Sequence, residues 1–232
     1  MSYVLHMIAE GEHQHQDFKM RVDDARKIAK TMVAYANTSG GRMLIGVRDN
    51  GAVCGCRAEE EYHMIEAAAE LHSRPSIPFE VQVWKAEGRT ILEVQVPRSA
   101  ARPHFCEDKQ GKWLSFLRKD DKNIKANPVL IKVWQYEMRK DRSEFRYDQY
   151  VGKLFAAWRS GRTLQFRHVA RIARLPYSDA EDLLCLLIVW GIVRIEPGPK
   201  GFTYSLGDVE ALEKLETHGP ETFRWQTERF WD

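Results

Sequence analysis

This sequence contains no long apolar run, no cysteine pair with the spacing of a zinc site and no large excess of one charge. Its longest uncharged apolar run, Leu183–Val193, is far shorter than the ~20 residues that a helix needs to cross a bilayer. The first residues show neither the basic nor the apolar stretch of a secretory signal. We therefore expect a cytoplasmic protein without membrane association.

Cysteine and glycine patterns exclude several kinds of site. No two of the four cysteines have the C-x2-C spacing, which argues against a zinc ribbon, and reduced thiols are expected. A G-x4-G-K-[ST] phosphate loop is also missing. The pair Gly40-Gly41 follows a predicted helix, which it would end while allowing a close approach to the next strand. A helix C-terminus repels phosphate, so ATP is not expected as a cofactor.

Charge is nearly balanced over the whole chain, with 35 basic and 33 acidic side chains and a net charge of +2. One stretch departs from this balance. Residues 98–142 carry 12 basic and 6 acidic side chains, a net of +6. Such a stretch is typical either of a surface that binds a polyanion or of a lysine-rich solvated surface.

Hydrophobic periodicity predicts the first elements. Alternation over 14–20 predicts a short strand, with Phe18 facing inward and Asp17 and Lys19 facing outward. Apolar residues at helical spacing predict a helix over 23–36, which Asp23 would cap.

The rest of the first half predicts further strands and helices. Strands are predicted over 43–47, 52–56, 79–86, 90–96 and 113–118, and helices over 59–74 and 128–139. Turns at Asp49-Asn50-Gly51 and Glu87-Gly88-Arg89 would join neighbouring strands into hairpins. Residues 1–142 are therefore predicted to form an α+β domain with a mostly antiparallel sheet.

Residues 143–232 predict a second, smaller domain. Helices are predicted over 147–159, over 166–173 and from Ser178, where Glu181 would complete a capping box. A hairpin over 192–206 and a helix over 208–217 follow. Three helices before a hairpin are typical of a winged helix. The aromatic tail 219–232 is expected to dock on the body or on a partner.

The third helix of this second domain does not favour DNA binding. It begins with Asp179, Glu181 and Asp182, and phosphates would repel these acids. Two alternatives stay open: contact through the preceding helix and Lys200 in the wing, or dimerisation. The basic residues of that preceding helix are Arg167, His168, Arg171 and Arg174.

Three motifs of the first domain resemble those of a known family. They are Glu12-x4-Asp17-Phe18-Lys19, then Ala36-Asn37-Thr38-x-Gly40-Gly41, then Gly46-Val47-x-Asp49-x-Gly51. Together they resemble the Schlafen-type AlbA-like domain over roughly residues 8–125. The match continues into the strand that contains Ser115-Phe116-Leu117-Arg118. His13 and Asp17 depart from the serine and the glutamate that are usual in the family.

The resemblance implies one possible chemistry. Animal Schlafen proteins are RNA endonucleases with an acidic triad, and Glu12, Asp17 and Asp49 match it in position. Three carboxylates at one place would bind Mg²⁺ or Mn²⁺ and activate water. Each acid also has a structural alternative, since Glu12 suits a solvated loop, Asp17 suits an ion pair with Lys19, and Asp49 suits a turn.

The resemblance also implies nucleic-acid binding, and a transcription regulator is the function we expect first. The residues expected to contact nucleic acid are Lys19, Arg48, Arg102, Lys112, Arg118, Lys119, Lys122 and Lys125. One alternative is a metal-dependent endoribonuclease that uses the three acids. The other is a dimerisation or protein-interaction module without catalysis, which would make the chain a homodimer.

Overall fold

A computed structural model describes residues 3–139 and 147–219 of the chain. The chain forms two compact units, the first ending at Ala126 and the second beginning at Asn127. Within the described ranges, every helix is too short or too polar to span a lipid bilayer. The polar stretch 141–148, whose composition predicts a linker, lies mostly outside the described residues, and the aromatic tail lies outside them from residue 220 onward.

The first unit combines helices with short strands. Its helices are α1 (Tyr3–Glu10), α2 (Ala25–Asn37) and α3 (Ala58–Glu70). Its strands are β1 (Gln16–Lys19), β2 (Gly41–Ile45), β3 (Ser73–Arg74), β4 (Glu80–Ala86), β5 (Arg89–Val96), β6 (Phe105–Glu107), β7 (Trp113–Leu114), β8 (Phe116–Lys119) and β9 (Lys122–Lys125).

A four-stranded sheet with the order β1-β2-β5-β4 forms the centre of the first unit. Only the β1–β2 pair is parallel, whereas β2–β5 and β5–β4 are antiparallel. Helix α2 packs its apolar side on this sheet, with Ile28, Met32 and Val33 almost fully buried. The prediction of an α+β unit with a mostly antiparallel sheet is confirmed.

Several local predictions of the first unit need correction. Asp24, not Asp23, caps α2, because its carboxylate accepts a hydrogen bond from the Arg26 amide. Helix α1 was not predicted at all. Phe18 is buried as predicted, but Asp17 is only 5 % exposed and does not face solvent.

Two predicted strands are also shorter than expected. The return strand over 52–56 is reduced to a single bridge between Val47 and Val53. The strand over 113–118 is interrupted at Ser115, between β7 and β8. The Ser115 hydroxyl donates to the His104 carbonyl, and the Ser115 carbonyl accepts from the Ala126 amide. The hydroxyl bond ties this interruption to the residue that precedes β6.

The second unit contains helices and a three-stranded sheet. Its helices are α4 (Pro128–Arg139), α5 (Gln149–Arg159), α6 (Phe166–Ala173), α7 (Tyr177–Val189) and α8 (Val209–His218). Its strands are β10 (Leu164–Gln165), β11 (Val193–Gly198) and β12 (Gly201–Leu206), in the antiparallel order β10-β12-β11. The predicted helices and hairpin are present, and the winged-helix assignment stays a prediction.

Helix α7 is buried on more than one side. Leu184, Leu187 and Ile188 are fully buried, and α7 packs against α4, α6 and β11. Helix α4 therefore belongs to the second unit, which moves the division of the chain from residue 142 to residue 126. The predicted capping box is wrong, because Ser178 donates to Asp179 and the helix has no side-chain cap.

Candidate nucleic-acid interface

The three acids of the predicted triad occupy different surroundings. Glu12 is exposed, and its carboxylate accepts a hydrogen bond from the Phe18 amide at 2.9 Å. Asp49 is exposed in the turn after β2. In that turn it is Asn50 whose side chain accepts from the Ala52 amide, so Asp49 is not the residue that closes the turn.

Asp17 is engaged by two cations. The Arg118 Nη2 lies 3.2 Å from its Oδ1, and the Lys19 ammonium forms an ion pair with its other oxygen. Both side chains of the Asp17–Arg118 pair are buried, with Arg118 only 2 % exposed. A buried carboxylate between two positive groups is neutralised by the protein itself.

Arg118 is surrounded by further partners. Its Nη2 donates to the carbonyls of His13 and Gln16, each at 3.3 Å, and its Nη1 donates to Asn123 at 3.0 Å. The guanidinium carbon also lies 5.3 Å from the centre of the Tyr35 ring. The predicted phosphate contact at Arg118 is therefore wrong, because the buried guanidinium joins β1 to the β8–β9 hairpin.

These residues do not fit a divalent metal. Within residues 3–139 and 147–219, no three His, Cys, Asp or Glu side chains are grouped so as to hold a metal ion. The cations beside Asp17 would repel Mg²⁺ or Mn²⁺. The prediction that Glu12, Asp17 and Asp49 meet at one metal is contradicted, and we derive no catalytic step from them.

The Asn37-Thr38 motif has a structural role. The Asn37 amide donates to the carbonyls of His104 and Phe116, each at 3.0 Å, and its oxygen accepts from the His104 amide. The Thr38 hydroxyl accepts from the Arg118 amide and donates to the Ala34 carbonyl. Both side chains are buried, so they fasten β8 and the residues before β6 to the end of α2.

The glycine pair after this motif serves close packing. Gly40 has φ +78, and a Cβ there would lie 2.9 Å from the Val96 carbonyl oxygen. A Cβ on Gly41 would lie 2.4 Å from a carbon of the Tyr35 ring. The pair therefore ends α2 and lets β2 pass close to its neighbours, as the sequence predicted.

The other predicted contact residues divide into buried and exposed ones. Arg102 is only 6 % exposed, so its predicted contact with phosphate is wrong. Lys19 is half-buried and paired with Asp17. The remaining predicted residues, Arg48, Lys112, Lys119, Lys122 and Lys125, are exposed.

Three of the exposed lysines share the β8–β9 hairpin. Lys119 and Lys122 lie directly opposite each other in the ladder, beside a two-residue turn made of Asp120 and Asp121. Lys125 lies at the other end of β9. In the part of the chain that the structure describes, none of these lysines forms an ion pair with an acid. We call Lys119, Lys122 and Lys125 the hairpin lysines.

Lys30 is a cation outside the predicted set of contact residues. Its ammonium lies 4.8 Å from the centre of the Phe116 ring, and Phe116 pairs directly with Lys125. Helical periodicity indicates that Lys30 is exposed, because it falls on the side of α2 opposite the apolar residues. Lys30 lies outside the basic stretch 98–142, and only tertiary packing brings α2 to the hairpin.

The cysteines show no reactive arrangement among the described residues. All four are free thiols, with Cys106 and Cys185 buried. Burial raises the pKa of Cys106 to about 11, which keeps this thiol protonated at neutral pH. Burial also raises the pKa of Cys56.

Comparisons with known proteins give a family match. Residues 12–127 match the family described as Schlafen, AlbA_2. No curated protein matches the chain. Among the solved structures, 13 chains match.

Two of these structures illustrate the extent of the similarity. The DIP2311 protein from Corynebacterium diphtheriae has 19% identity and a TM-score of 0.41, over 84% of this chain and 34% of that one. The chain thus spans about a third of that protein's length. The N-terminal domain of a putative ATP-dependent DNA helicase RecG-related protein from Nitrosomonas europaea has 18% identity and a TM-score of 0.40. The match covers 64% of this chain and 99% of that domain.

Proposed function

Because the chain belongs to the Schlafen, AlbA_2 family, we propose that it binds nucleic acid and that the hairpin lysines contact the phosphate backbone. Family membership supports a nucleic-acid-related role. The hairpin lysines supply the surface on which that role can be tested.

The observation that carries this proposal is the cross-strand pair Lys119–Lys122. Like charges directly opposite each other destabilise a hairpin, and local rules of this kind are broken chiefly at functional sites. The described residues supply no ion-pair partner that would explain the arrangement. A phosphate between the two ammonium groups would turn this repulsion into attraction.

We further propose that the chain acts as a transcription regulator. This proposal is supported by the second unit, whose helices and three-stranded sheet follow the order expected of a winged helix. A first unit that contacts nucleic acid and a second unit with the element order of a winged helix would suit a transcription regulator.

The two alternative functions receive less support. The endoribonuclease needs a cluster of carboxylates, and Asp17 is already neutralised by Arg118 and Lys19. The dimerisation module was favoured by the acidic start of the third helix, but Lys132 of α4 already pairs with Glu181 and Asp182 there. Binding of nucleic acid is therefore the function that the described geometry supports best.

The salt dependence of binding tests this proposal. Purified protein is titrated with a labelled DNA duplex and a labelled structured RNA between 50 and 200 mM salt. Each phosphate contact contributes about 0.9 to the slope of log K against log salt on duplex DNA. The double variant Lys119→Gln/Lys122→Gln should lower that slope by up to about 1.8.

Two matched variants serve as controls for this test. Lys85→Gln removes an exposed lysine from β4 and should leave the slope unchanged. Asp120→Asn/Asp121→Asn should tighten binding, because it removes the acids of the same turn. Asparagine also tolerates the positive φ of 55° at Asp120. A flat slope in the wild type, or equal losses in the hairpin variant and Lys85→Gln, would contradict the proposal.

A further inference from the structure

Helix α6 of the second unit presents arginines on its exposed side. Arg167 and Arg171 are both exposed and lie four residues apart, which places them on one face of the helix. Val169, Ala170 and Ala173 occupy the buried side. Residues 160–178 contain no Asp or Glu at all. We call Arg167 and Arg171 the α6 arginines.

The α6 arginines differ from their neighbours in having no partner among the described residues. Arg159 is ion-paired with Glu216, and Arg174 donates to the Tyr150 hydroxyl at 3.0 Å. Neither Arg167 nor Arg171 forms an ion pair or a side-chain hydrogen bond with another described residue. Their charge therefore remains available to a ligand.

The acids closest along the chain are already engaged. Lys132 of α4 lies 3.2 Å from Glu181 and 2.6 Å from Asp182, both in the first turns of α7. Asp179 accepts a hydrogen bond from the Ser178 hydroxyl. The Lys132 contacts offset the acidic start of α7, which leaves the neighbouring α6 face with a net positive charge.

Helix α7 itself cannot provide a comparable surface. Its side chains are buried from Leu183 to Val189, and α4 lies against it. A helix buried on several sides cannot enter a groove of a duplex. If the second unit contacts nucleic acid, the contact has to come from other elements.

Within the second unit, the strand order brings the start of α6 toward the β11–β12 turn. Strand β10 leads directly into α6, and it pairs with Thr203 and Tyr204 of β12 while running toward the β11–β12 turn. Helix α6 therefore starts at the end of the sheet where this turn lies. Lys200, in the turn, is exposed.

We propose that the α6 arginines bind the phosphate backbone of a nucleic-acid duplex and form a second contact surface of the protein. A guanidinium offers planar, paired donors that match phosphate oxygens. This inference rests on the proposed nucleic-acid binding, because it assigns the same class of ligand to a different unit.

The test compares variants of the full chain on one labelled DNA duplex. Arg167→Gln/Arg171→Gln removes two charges from the exposed face and should lower the salt slope by up to about 1.8. Between 50 and 200 mM salt, the wild type should then lose about 12-fold more affinity than this variant. Arg167→Lys/Arg171→Lys keeps both charges and should retain the slope of the wild type.

The control is Arg194→Gln, which removes an exposed arginine from β11, the far edge of the same sheet. It should leave the slope unchanged. If the α6 variant matches this control while the Lys119→Gln/Lys122→Gln variant loses slope, the α6 surface is excluded and the proposed function survives. If the wild type itself binds without salt dependence, both proposals fail.

Discussion

At the scale of single residues, one buried arginine links the parts of the first unit. The Arg118 guanidinium neutralises Asp17 and donates to the chain around β1, while its amide is held by Thr38 at the end of α2. Its neighbour Lys119 has none of these contacts and is exposed. Arg118 thus stabilises the fold, whereas the adjacent Lys119 is available at the surface.

Replacing these neighbours should separate the two roles. Arg118→Ala leaves the Asp17 carboxylate buried with only Lys19 beside it, and breaking a buried pair costs about 3–5 kcal/mol. Lys119→Ala should change the free energy of unfolding by less than about 0.5 kcal/mol. Denaturant unfolding of both variants measures the difference. Equal stability of the two would show that the buried network contributes nothing.

At the scale of elements, helix starts depend on which polar side chain reaches the free amides. Asp148 caps α5, because its carboxylate accepts from the amides of Tyr150 and Val151 at 2.8 and 2.9 Å. Ser178 stands near the start of α7 and makes no such bond. Helix α7 is therefore stabilised by its packing on α4, α6 and β11.

The two helix starts should respond differently to mutation. Asp148→Ala removes a cap and should cost about 1 kcal/mol of unfolding free energy. Ser178→Ala removes only the hydrogen bond to Asp179 and should cost less than about 0.5 kcal/mol. Thermal unfolding followed by circular dichroism compares them. A larger loss for the serine variant would mean that α7 depends on a cap after all.

At the scale of the whole molecule, the division of the chain follows packing. Helix α4 buries Val129, Leu130, Val133 and Trp134, and it lies against α7. Asn127 precedes α4 and caps it, since its side-chain oxygen accepts from the Leu130 amide, and its amide group donates to the Tyr204 hydroxyl. Both bonds join residue 127 to the second unit.

Fragments should reveal this division. A fragment of residues 127–232 keeps α4, whereas one of residues 143–232 loses it and exposes the apolar side of α7. Each large apolar side chain contributes about 1.5–3 kcal/mol when buried, so the shorter fragment should be several kcal/mol less stable.

Thermal unfolding and binding of a hydrophobic dye measure this difference between the fragments. As a control, fragments 1–126 and 1–142 should unfold at similar temperatures. Identical melting of 127–232 and 143–232 would place the boundary near residue 142 instead.

Motifs and apolar periodicity are enough to identify the family, the α+β class and most of the elements. Apolar periodicity located α2 and the β4–β5 hairpin, because these patterns are local and short turns join them. The glycine pair after α2 was also explained correctly, since close approach and positive φ favour glycine.

The roles of the charged residues, in contrast, depend on tertiary packing. A sequence shows that Asp17, Arg118 and Lys119 are charged, but burial and pairing depend on residues about 100 positions apart. Packing placed Arg118 in the interior and Lys30 beside the hairpin, and within the described residues it grouped no three acids so as to hold a metal ion. Long-range contacts of this kind leave no periodic pattern along the chain.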